Sequence, residues 1–365
     1  MSGSGVDGGG DQVCPECGSE SVITDAVSGE MVCASCGLVI QERGVDREAG
    51  KIDWERLRET VETAVRFLDD AIDVNRHPLP RLTEENKRHR RIGLGIMGLA
   101  DMLYALGIPY DSEEGFKTMS RVMEFIAYHA YMASSRLSGE KGSFPLFPYS
   151  DYREGILPIR GFRESDCWTL DWTAVAEMVS RGVRNSHVTT VAPTGSISMI
   201  FDVSAGLEPQ FALVYEKHVS VGRFYYVDIE FERQLRERGL YSQEVLRRVA
   251  ENGGSVQGLE EIPEDMQEVF VTAREIAWWD HLRAQWEIQR WVDSSVSKTI
   301  NMHAGATVED VLNAYVTAEK IGVKGVTIFR DTSKGVQVLH APPLKRLRKA
   351  KNNTIPLLGL SVEDG

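Results

Sequence analysis

The sequence predicts an α/β protein, because segments with helical periodicity alternate with short runs rich in β-branched residues. From Trp54 onward, apolar residues recur at steps of three and four, which indicates a long amphipathic helix. Near the other end of the chain, Thr307 and Asp310 have the spacing of a capping box that opens a helix through Ile321. Residues 326–329 then have the composition of a buried strand.

Further segments continue this alternation. Helical periodicity covers residues 94–106, 113–137, 171–182, 228–238, 242–251 and 264–292. Runs typical of strands lie at residues 187–191 and 211–215. This order of elements is typical of a largely parallel sheet or a barrel, with helices as the connections between strands.

Composition excludes some classes of function. The 365 residues, 42% of them hydrophobic, suffice for one or two domains with a sizeable core. No apolar run of about 18 residues appears and the start lacks the features of a signal peptide, so we expect a cytoplasmic protein without membrane contact. A net charge of -13 argues against a general nucleic-acid surface, since phosphates are bound by clustered Lys and Arg.

The ends of the chain differ in composition from the middle. Residues 1–12 are rich in Gly and Ser, which predicts disorder. Residues 343–365 form a predicted tail, whose basic run is typical of a solvated segment. Between the ends, a cysteine-rich segment of residues 13–46 precedes a longer region of residues 51–342.

Four of the five cysteines form two CxxC motifs, Cys14 with Cys17 and Cys33 with Cys36. Zinc prefers four soft ligands at tetrahedral corners, and each tight CxxC turn supplies two thiolates. A β-hairpin between the motifs would bring the two pairs together. In a cytoplasmic chain this spacing favours structural zinc over a disulfide or a redox dithiol, so we assign Zn²⁺ to these four residues.

The residues around the motifs, 13–18 and 29–40, resemble the N-terminal zinc ribbon of archaeal transcription factor IIB. In that family the ribbon docks on RNA polymerase, and two cyclin-like repeats that bind promoter DNA follow it. A contact with RNA polymerase through the ribbon is therefore one implication of the resemblance. No cyclin-like repeats follow here, which favours a small module that zinc stabilises.

A GxGxxG pattern spans residues 93–98. A dinucleotide-binding loop needs a buried strand before the glycines, but residues 84–91 are charged and helical. The more consistent interpretation is that the glycines let this segment pack closely against a neighbour or turn.

A second glycine-containing segment carries the candidate binding residues Pro193, Thr194, Gly195, Ser196 and Ile197. It follows a β-branched run, and such a turn can expose consecutive backbone N–H groups and two hydroxyls. A helix that starts here would add the positive end of its dipole. These are suitable groups for a phosphate, although an ordinary Ser/Thr-rich turn has the same spacing.

Residues 192–198 and 204–209 resemble the substrate-phosphate loop of class II, adenosylcobalamin-dependent ribonucleotide reductases and the segment that follows it. The rest of the resemblance lies, in the family's order, at residues 67–76, 90–101, 293–301 and 325–331. The resemblance implies the second half of a ten-stranded α/β barrel at residues 51–342. It also implies a ribonucleotide as substrate and adenosylcobalamin as the cofactor of the completed enzyme.

The cysteines that the family uses for catalysis are not among those of this sequence. The resemblance implies a radical cysteine on a finger loop and a cysteine pair that supplies electrons. Cys167 matches neither position, and we expect a half-buried structural thiol. We therefore assign no catalytic residue, and expect a separate chain to supply the N-terminal catalytic half.

Three hypotheses follow from these observations. The first is a component of a cobalamin-dependent ribonucleotide reductase that makes 2′-deoxyribonucleotides and is inactive without a chain carrying the catalytic cysteines. The second is a transcription-related binding protein, in which the ribbon is functional and the reductase-like region is a scaffold. The third is an inactive remnant. A half barrel exposes strand edges, which favours a partner chain.

We expect the reduced, zinc-supplied chain to bind one zinc ion, because its two CxxC turns together supply four thiolates. Elemental analysis of the purified protein measures the zinc content. The Cys33→Ala variant should lose the metal, whereas Cys167→Ala, which removes a cysteine outside both motifs, should retain it. Full retention of zinc by Cys33→Ala would contradict the assignment.

Overall fold

The computed structural model describes residues 50–219, 222–331 and 333, with side chains for all of these except 216–219 and 222–225. It also describes the backbone of six short strands outside these ranges. The chain divides into two compact units, residues 1–56 and residues 57–365.

The first unit contains short antiparallel strands. Three of them form one sheet in the order β1 (Val22–Thr24), β2 (Met31–Cys33) and β3 (Val39–Ile40). A second pair joins β4 (Val45–Asp46) to β5 (Lys51–Ile52). The β1–β2 hairpin follows the first CxxC motif, and β2 ends at Cys33, the first residue of the second motif. The cysteine side chains, the disordered segment 1–12 and most of the tail 343–365 lie outside the described residues, so the zinc ribbon and these boundaries stay predictions.

Helices dominate the second unit. The α-helices are α1 (Trp54–Val74), α2 (Pro80–His89), α3 (Leu99–Ala105), α4 (Glu113–Lys141), α5 (Trp172–Arg181), α6 (Ile197–Ile200), α7 (Ile229–Glu237), α8 (Gln243–Glu251), α9 (Glu264–Val269), α10 (Trp278–Gln289) and α11 (Val308–Ile321). Single 3₁₀ turns lie at Phe147–Tyr149, Asp151–Glu154, Gly161–Arg163 and Ser165–Cys167. Within the described part of the chain, every helix is too short or too polar to span a membrane.

Four segments line up in parallel and form the centre of the second unit. Residues 92–94 bond to residues 187–190, and Val191 pairs in turn with Val296. The ladder continues from there into β8 (Thr299–Met302), which pairs in parallel with β9 (Thr327–Arg330). Helices connect these segments, which confirms the α/β class and the parallel pairing that the sequence predicts.

Other described strands lie outside this ladder. The antiparallel hairpin of β6 (Val214–Val219) and β7 (Gly222–Val227) extends well beyond the strand predicted at residues 211–215. The short strands β10 (Thr354–Ile355) and β11 (Leu360–Ser361) also pair with each other.

Two helix predictions were wrong in their extent. The helix predicted at 94–106 begins only at Leu99, because residues 92–94 belong to the parallel ladder. The single helix predicted at 264–292 is instead α9 and α10, separated by residues 270–277. In this break, the Thr272 amide and hydroxyl both donate to the Glu275 carboxylate, and such local bonds compete with helix formation.

The core consists of apolar clusters on the inner faces of the helices. One cluster joins α3, α7, α8 and α9 around Phe231 and Phe270. Another packs α10 and α11 against β8 around Ile300. The rings of Trp172 and Trp291 stack with their centroids 5.5 Å apart, and both are fully buried. Trp286 and Trp291, near the end of α10, are therefore core residues.

A buried carboxylate ties α1 to the start of the parallel ladder. Asp69 is completely buried and accepts hydrogen bonds from the Nε groups of Arg90 and Arg184, at 2.9 and 3.1 Å. Asn185 donates to the same carboxylate at 2.9 Å. Because Arg90 precedes residues 92–94 and Asn185 precedes residues 187–191, this one side chain aligns two neighbouring segments of the ladder.

We expect Asp69→Asn to lower the free energy of unfolding by about 3–5 kcal/mol, because it removes the buried partner of Arg90 and Arg184 and leaves them only the partly exposed Asp73. The adjacent Asp70 is exposed and pairs with Lys141, so Asp70→Asn should cost less than about 1 kcal/mol. Urea denaturation of the two variants measures the difference. Similar losses for both would show that Asp69 has no special role.

Candidate functional site

Residues 187–191 form the strand that leads into the candidate loop, and this strand pairs with a neighbouring segment on each side. Leu94 and Thr189 form a parallel bridge, and the Val191 amide donates to the Ser295 carbonyl at 3.0 Å. At its beginning, the Val188 and Thr189 amides donate to the buried carboxylate of Asp293, at 2.7 and 3.2 Å. The strand therefore brings the loop to a defined position at its carboxyl end.

The GxGxxG segment packs directly against this strand. A Cβ atom on Gly95 would lie 2.3 Å from the Thr190 carbonyl oxygen, and one on Gly93 would lie 2.6 Å from the Thr190 methyl group. Gly98 adopts a φ of +79°, which favours glycine. The close-packing role predicted for these glycines is confirmed, and they contribute to the position of the loop rather than to a dinucleotide site.

The loop itself is built around Thr194. This residue has a φ of +49°, which is uncommon for a residue other than glycine. Its hydroxyl oxygen accepts a hydrogen bond from the Gly206 amide at 2.8 Å, and its carbonyl accepts one from the Ser198 amide at 2.9 Å. Thr194 thereby joins the two sides of the loop, and its conformation is determined by these contacts.

The tip of the loop offers unused hydrogen-bond donors. Gly195, Ser196 and Ile197 are all exposed, and their amides have no acceptor within the part of the chain that the structure describes. Nothing lies within 4 Å of the position that a Cβ atom on Gly195 would take. Pro193, the first residue of the turn, is also exposed. The five predicted site residues are thus brought together in one accessible turn.

The helix expected after the loop makes a smaller contribution than the sequence suggested. It does begin at Ile197, but α6 ends at Ile200 after four residues. The macrodipole grows with the number of aligned peptide units, so a single turn adds little positive potential. Any attraction of an anion to the loop therefore comes from individual amides and hydroxyls.

A polar cluster supports the far side of the loop. The carboxylate of Asp101 accepts from the Ser204 amide at 2.7 Å, and the Gln210 amide group donates to both Asp101 and Asp228. Burial, followed by the nearby charge of Asp101, raises the pKa of Asp228 to about 8. Asp228 is therefore mostly protonated at neutral pH, which lets two buried carboxyl groups lie close together.

A second cluster, which the sequence did not predict, anchors the chain just after the loop. Lys298 is fully buried and forms an ion pair with Glu208, whose carboxylate also accepts from the Thr299 amide. The Lys298 ammonium lies 2.9 Å from Nδ1 of His281, and His281 Nε2 lies 2.9 Å from the Ala273 carbonyl. Burial, and then the charge of Lys298, hold the pKa of His281 well below its usual value, so its imidazole is neutral.

The histidines near these clusters differ in their surroundings. His281 is buried with both ring nitrogens in contact with neighbours, His303 is exposed, and the side chain of His218 lies outside the described residues. The carboxylates of Asp69, Asp70 and Asp73 lie within 4.8 Å of one another. Arg90, Arg184 and Lys141 already neutralise these aspartates, so they form an ion-pair network.

Cys167 was predicted to be half-buried, and this prediction was wrong. The residue is exposed, at the end of a 3₁₀ turn, and its sulfur accepts a hydrogen bond from the Arg290 guanidinium. Arg290 follows α10 directly and precedes the third ladder segment, so Cys167 lies toward the amino ends of the strands. The loop at residues 193–197 follows its strand, so it lies toward the other end of the strands.

The sequence of this chain is similar to those of known ribonucleotide reductases. A family model described as the ribonucleotide reductase barrel domain matches residues 17–329. The chain is 43% identical over 302 residues to a vitamin B12-dependent ribonucleoside-diphosphate reductase from Mycobacterium tuberculosis. It is 42% identical over 310 residues to a protein of the same description from Thermoplasma acidophilum.

These alignments cover most of this chain and a minor part of the relatives. They include 82% and 84% of this chain, but 39% and 37% of the two relatives, so the chain spans about two fifths of their length. Among solved structures, the α subunit of a class Id ribonucleotide reductase from Actinobacillus ureae aligns with a TM-score of 0.60 at 24% identity. That alignment covers 75% of this chain and 46% of the subunit, and it shows a shared fold.

Proposed function

The chain belongs to the ribonucleotide reductase barrel family, and on this premise we propose that it is a component of a cobalamin-dependent ribonucleotide reductase. In this proposal it forms the C-terminal half of the α/β barrel and holds the phosphate of a ribonucleotide substrate at residues 193–197. Relatives described as vitamin B12-dependent reductases, 43% and 42% identical to this chain, support the cofactor class.

The observation that carries the proposal is the set of three free amides at Gly195, Ser196 and Ile197. They lie in an exposed turn at the carboxyl end of a parallel strand, where α/β folds commonly bind ligands. Successive backbone N–H groups in such a turn form a concave site for phosphate oxygens. The Ser196 side chain makes no capping bond to α6, so its hydroxyl is available as a further donor.

In the proposed enzyme the loop positions the substrate and takes no part in bond breaking. Replacement of the 2′-hydroxyl by hydrogen is a reduction that needs two electrons, which a pair of thiols can supply. The five cysteines here comprise four predicted zinc ligands and Cys167, which lies toward the other end of the strands from the loop. We therefore propose that the reacting thiols belong to residues outside this sequence.

The edges of the parallel ladder support a barrel completed by further strands. Within the described residues, the ladder ends at residues 92–94 on one side and at β9 on the other. Unpaired strand edges attract additional strands, and proteins normally cover them. A chain with the N-terminal catalytic half would cover these edges and bring its thiols to the substrate held by the loop.

The proposal includes two metal-containing groups, zinc and adenosylcobalamin, and the support for each is of a different kind. The chemistry of Cys14, Cys17, Cys33 and Cys36 fits structural zinc, which would stabilise a module too small to have a sizeable core. The geometry of the described residues does not identify those that would hold adenosylcobalamin. That cofactor supplies the radical chemistry when it is bound, and its assignment here rests on the relatives.

We expect the purified chain, given adenosylcobalamin, a dithiol and ribonucleotides, to form no deoxyribonucleotide. Addition of a chain that carries the catalytic half should produce turnover, which chromatography of the products measures. Turnover by this chain alone that survives Cys167→Ser would contradict the proposal, as would failure of every catalytic half to complement it.

In the reconstituted enzyme, Gly195→Val should raise KM at least about tenfold with a smaller effect on kcat, because it crowds the amides that would bind phosphate. The open space around Gly195 means that the fold itself should tolerate this change. Gly139→Val is a matched control, since Gly139 is also exposed and has open space around it. An equal KM for both variants would argue against the loop as the phosphate site.

A further inference from the structure

We propose that a cavity at the opposite edge of the parallel ladder is a second binding site, for a free anion of the phosphate class. The cavity has a volume of about 490 Å³, enough for an ion of the size of pyrophosphate. The lining residues that matter here are Arg160, Arg163, Glu164, Trp286, Arg290 and Lys324. None of them belongs to the loop at residues 193–197.

The position of the cavity separates it from the proposed substrate site. Arg290 lies a few residues before the third ladder segment, and Lys324 lies a few residues before β9. In a parallel arrangement, the residues that precede the strands lie at one edge and those that follow lie at the other. The loop follows the strand that contains Val191, so the two sites lie at opposite edges.

The charge of the cavity is opposite to that of the chain. Four of its lining side chains are positive (Arg160, Arg163, Arg290 and Lys324), and Glu164 is its one lining carboxylate. The whole chain carries a net charge of -13. A local excess of guanidinium groups in an acidic protein attracts small anions, and guanidinium geometry matches phosphate oxygens.

Arg290 provides the most direct indication of a ligand. Its side chain is 7% exposed, and its Nε atom has no hydrogen-bond partner among the described residues. The other end of the guanidinium donates to Glu164 and to the sulfur of Cys167, and the Glu287 carboxylate lies 3.5 Å from it. A buried donor without a partner is costly, so an acceptor that enters the cavity would remove this cost.

Arg163 is a cation of the cavity without a partner among the described residues. Within the described part of the chain, its side chain forms no ion pair or hydrogen bond, and it is exposed at the cavity. Arg160 and Lys324 are different, because they donate to the carbonyls of Ile321 and of residues 292–294. These contacts hold Arg160 and Lys324 in place and leave their positive charge at the cavity, whereas the Arg163 guanidinium is free to contact an anion.

The aromatic residue in the cavity argues against a nucleoside. Trp286 is 7% exposed, and the guanidinium groups of Arg290 and Arg160 already lie over its ring, at 4.2 and 5.7 Å from the centroid. A base would have to displace these groups in order to stack. The geometry therefore favours inorganic phosphate or pyrophosphate.

Titration calorimetry of the full chain with phosphate and pyrophosphate, at constant ionic strength, tests this site. We expect saturable binding that Arg163→Ala weakens about tenfold, since one charge-assisted hydrogen bond is lost. Arg181→Ala is a matched control, because Arg181 is exposed and lies outside the cavity. Arg290→Lys keeps the charge but removes the planar donor, and should also weaken binding.

Cys167 provides a local signal because its sulfur touches Arg290. Bound pyrophosphate should slow alkylation of the peptide that contains Cys167 at least twofold, measured by mass spectrometry, in wild type and in Gly195→Val. No binding by the wild type, or equal binding by wild type, Arg163→Ala and Arg290→Lys, would overturn the inference. Binding that Gly195→Val abolishes and Arg163→Ala leaves unchanged would assign the anion to the loop instead.

Discussion

The carboxylate of Asp293 is the contact on which the candidate site depends, because it holds the strand that leads into the loop. It accepts from the amides of Val188 and Thr189 and from the Tyr131 hydroxyl, and the Asp293 amide donates to the Thr189 hydroxyl. All of these groups are buried, so an apolar replacement would leave each donor unsatisfied at a cost of about 1–3 kcal/mol. One side chain therefore sets the relative positions of α4, the strand and the next ladder segment.

The loop combines anchored ends with an open tip. Asp101 holds the Ser204 amide beyond the loop, Glu208 joins the following residues to Lys298, and Thr194 joins the two sides. None of these contacts uses the amides at the tip. A ligand that binds there meets donors already in position, which lowers the entropic cost of binding. In the proposed enzyme, this arrangement positions the substrate phosphate before any thiol reacts.

Local chemistry predicted part of this structure from the sequence. The turn residues 193–197, the close packing of Gly93 and Gly95, and the capping box at Thr307 were all visible as short patterns, and the structure contains that turn, packing and cap. The break between α9 and α10 carries no Gly or Pro, and its cause is a side-chain bond from Thr272 to Glu275. By contrast, β7 could have been predicted from the sequence, because its consecutive aromatic residues are typical of a strand.

The supporting clusters could not have been predicted in the same way. Glu208 and Lys298 are 90 residues apart, and Asp101 and Ser204 are 103 apart, so no local pattern joins them. Likewise, Cys167 contacts Arg290, which is 123 residues away in the sequence. Such contacts depend on how the ladder brings distant segments together, so they cannot be predicted from local sequence patterns.

The most direct test of the account is a crystal structure of the reconstituted enzyme with a bound ribonucleotide. Our account places phosphate oxygens about 2.7–3.2 Å from the amide nitrogens of Gly195, Ser196 and Ile197, within hydrogen-bond distance. A substrate phosphate held elsewhere, with these three amides bound only to water, would contradict it.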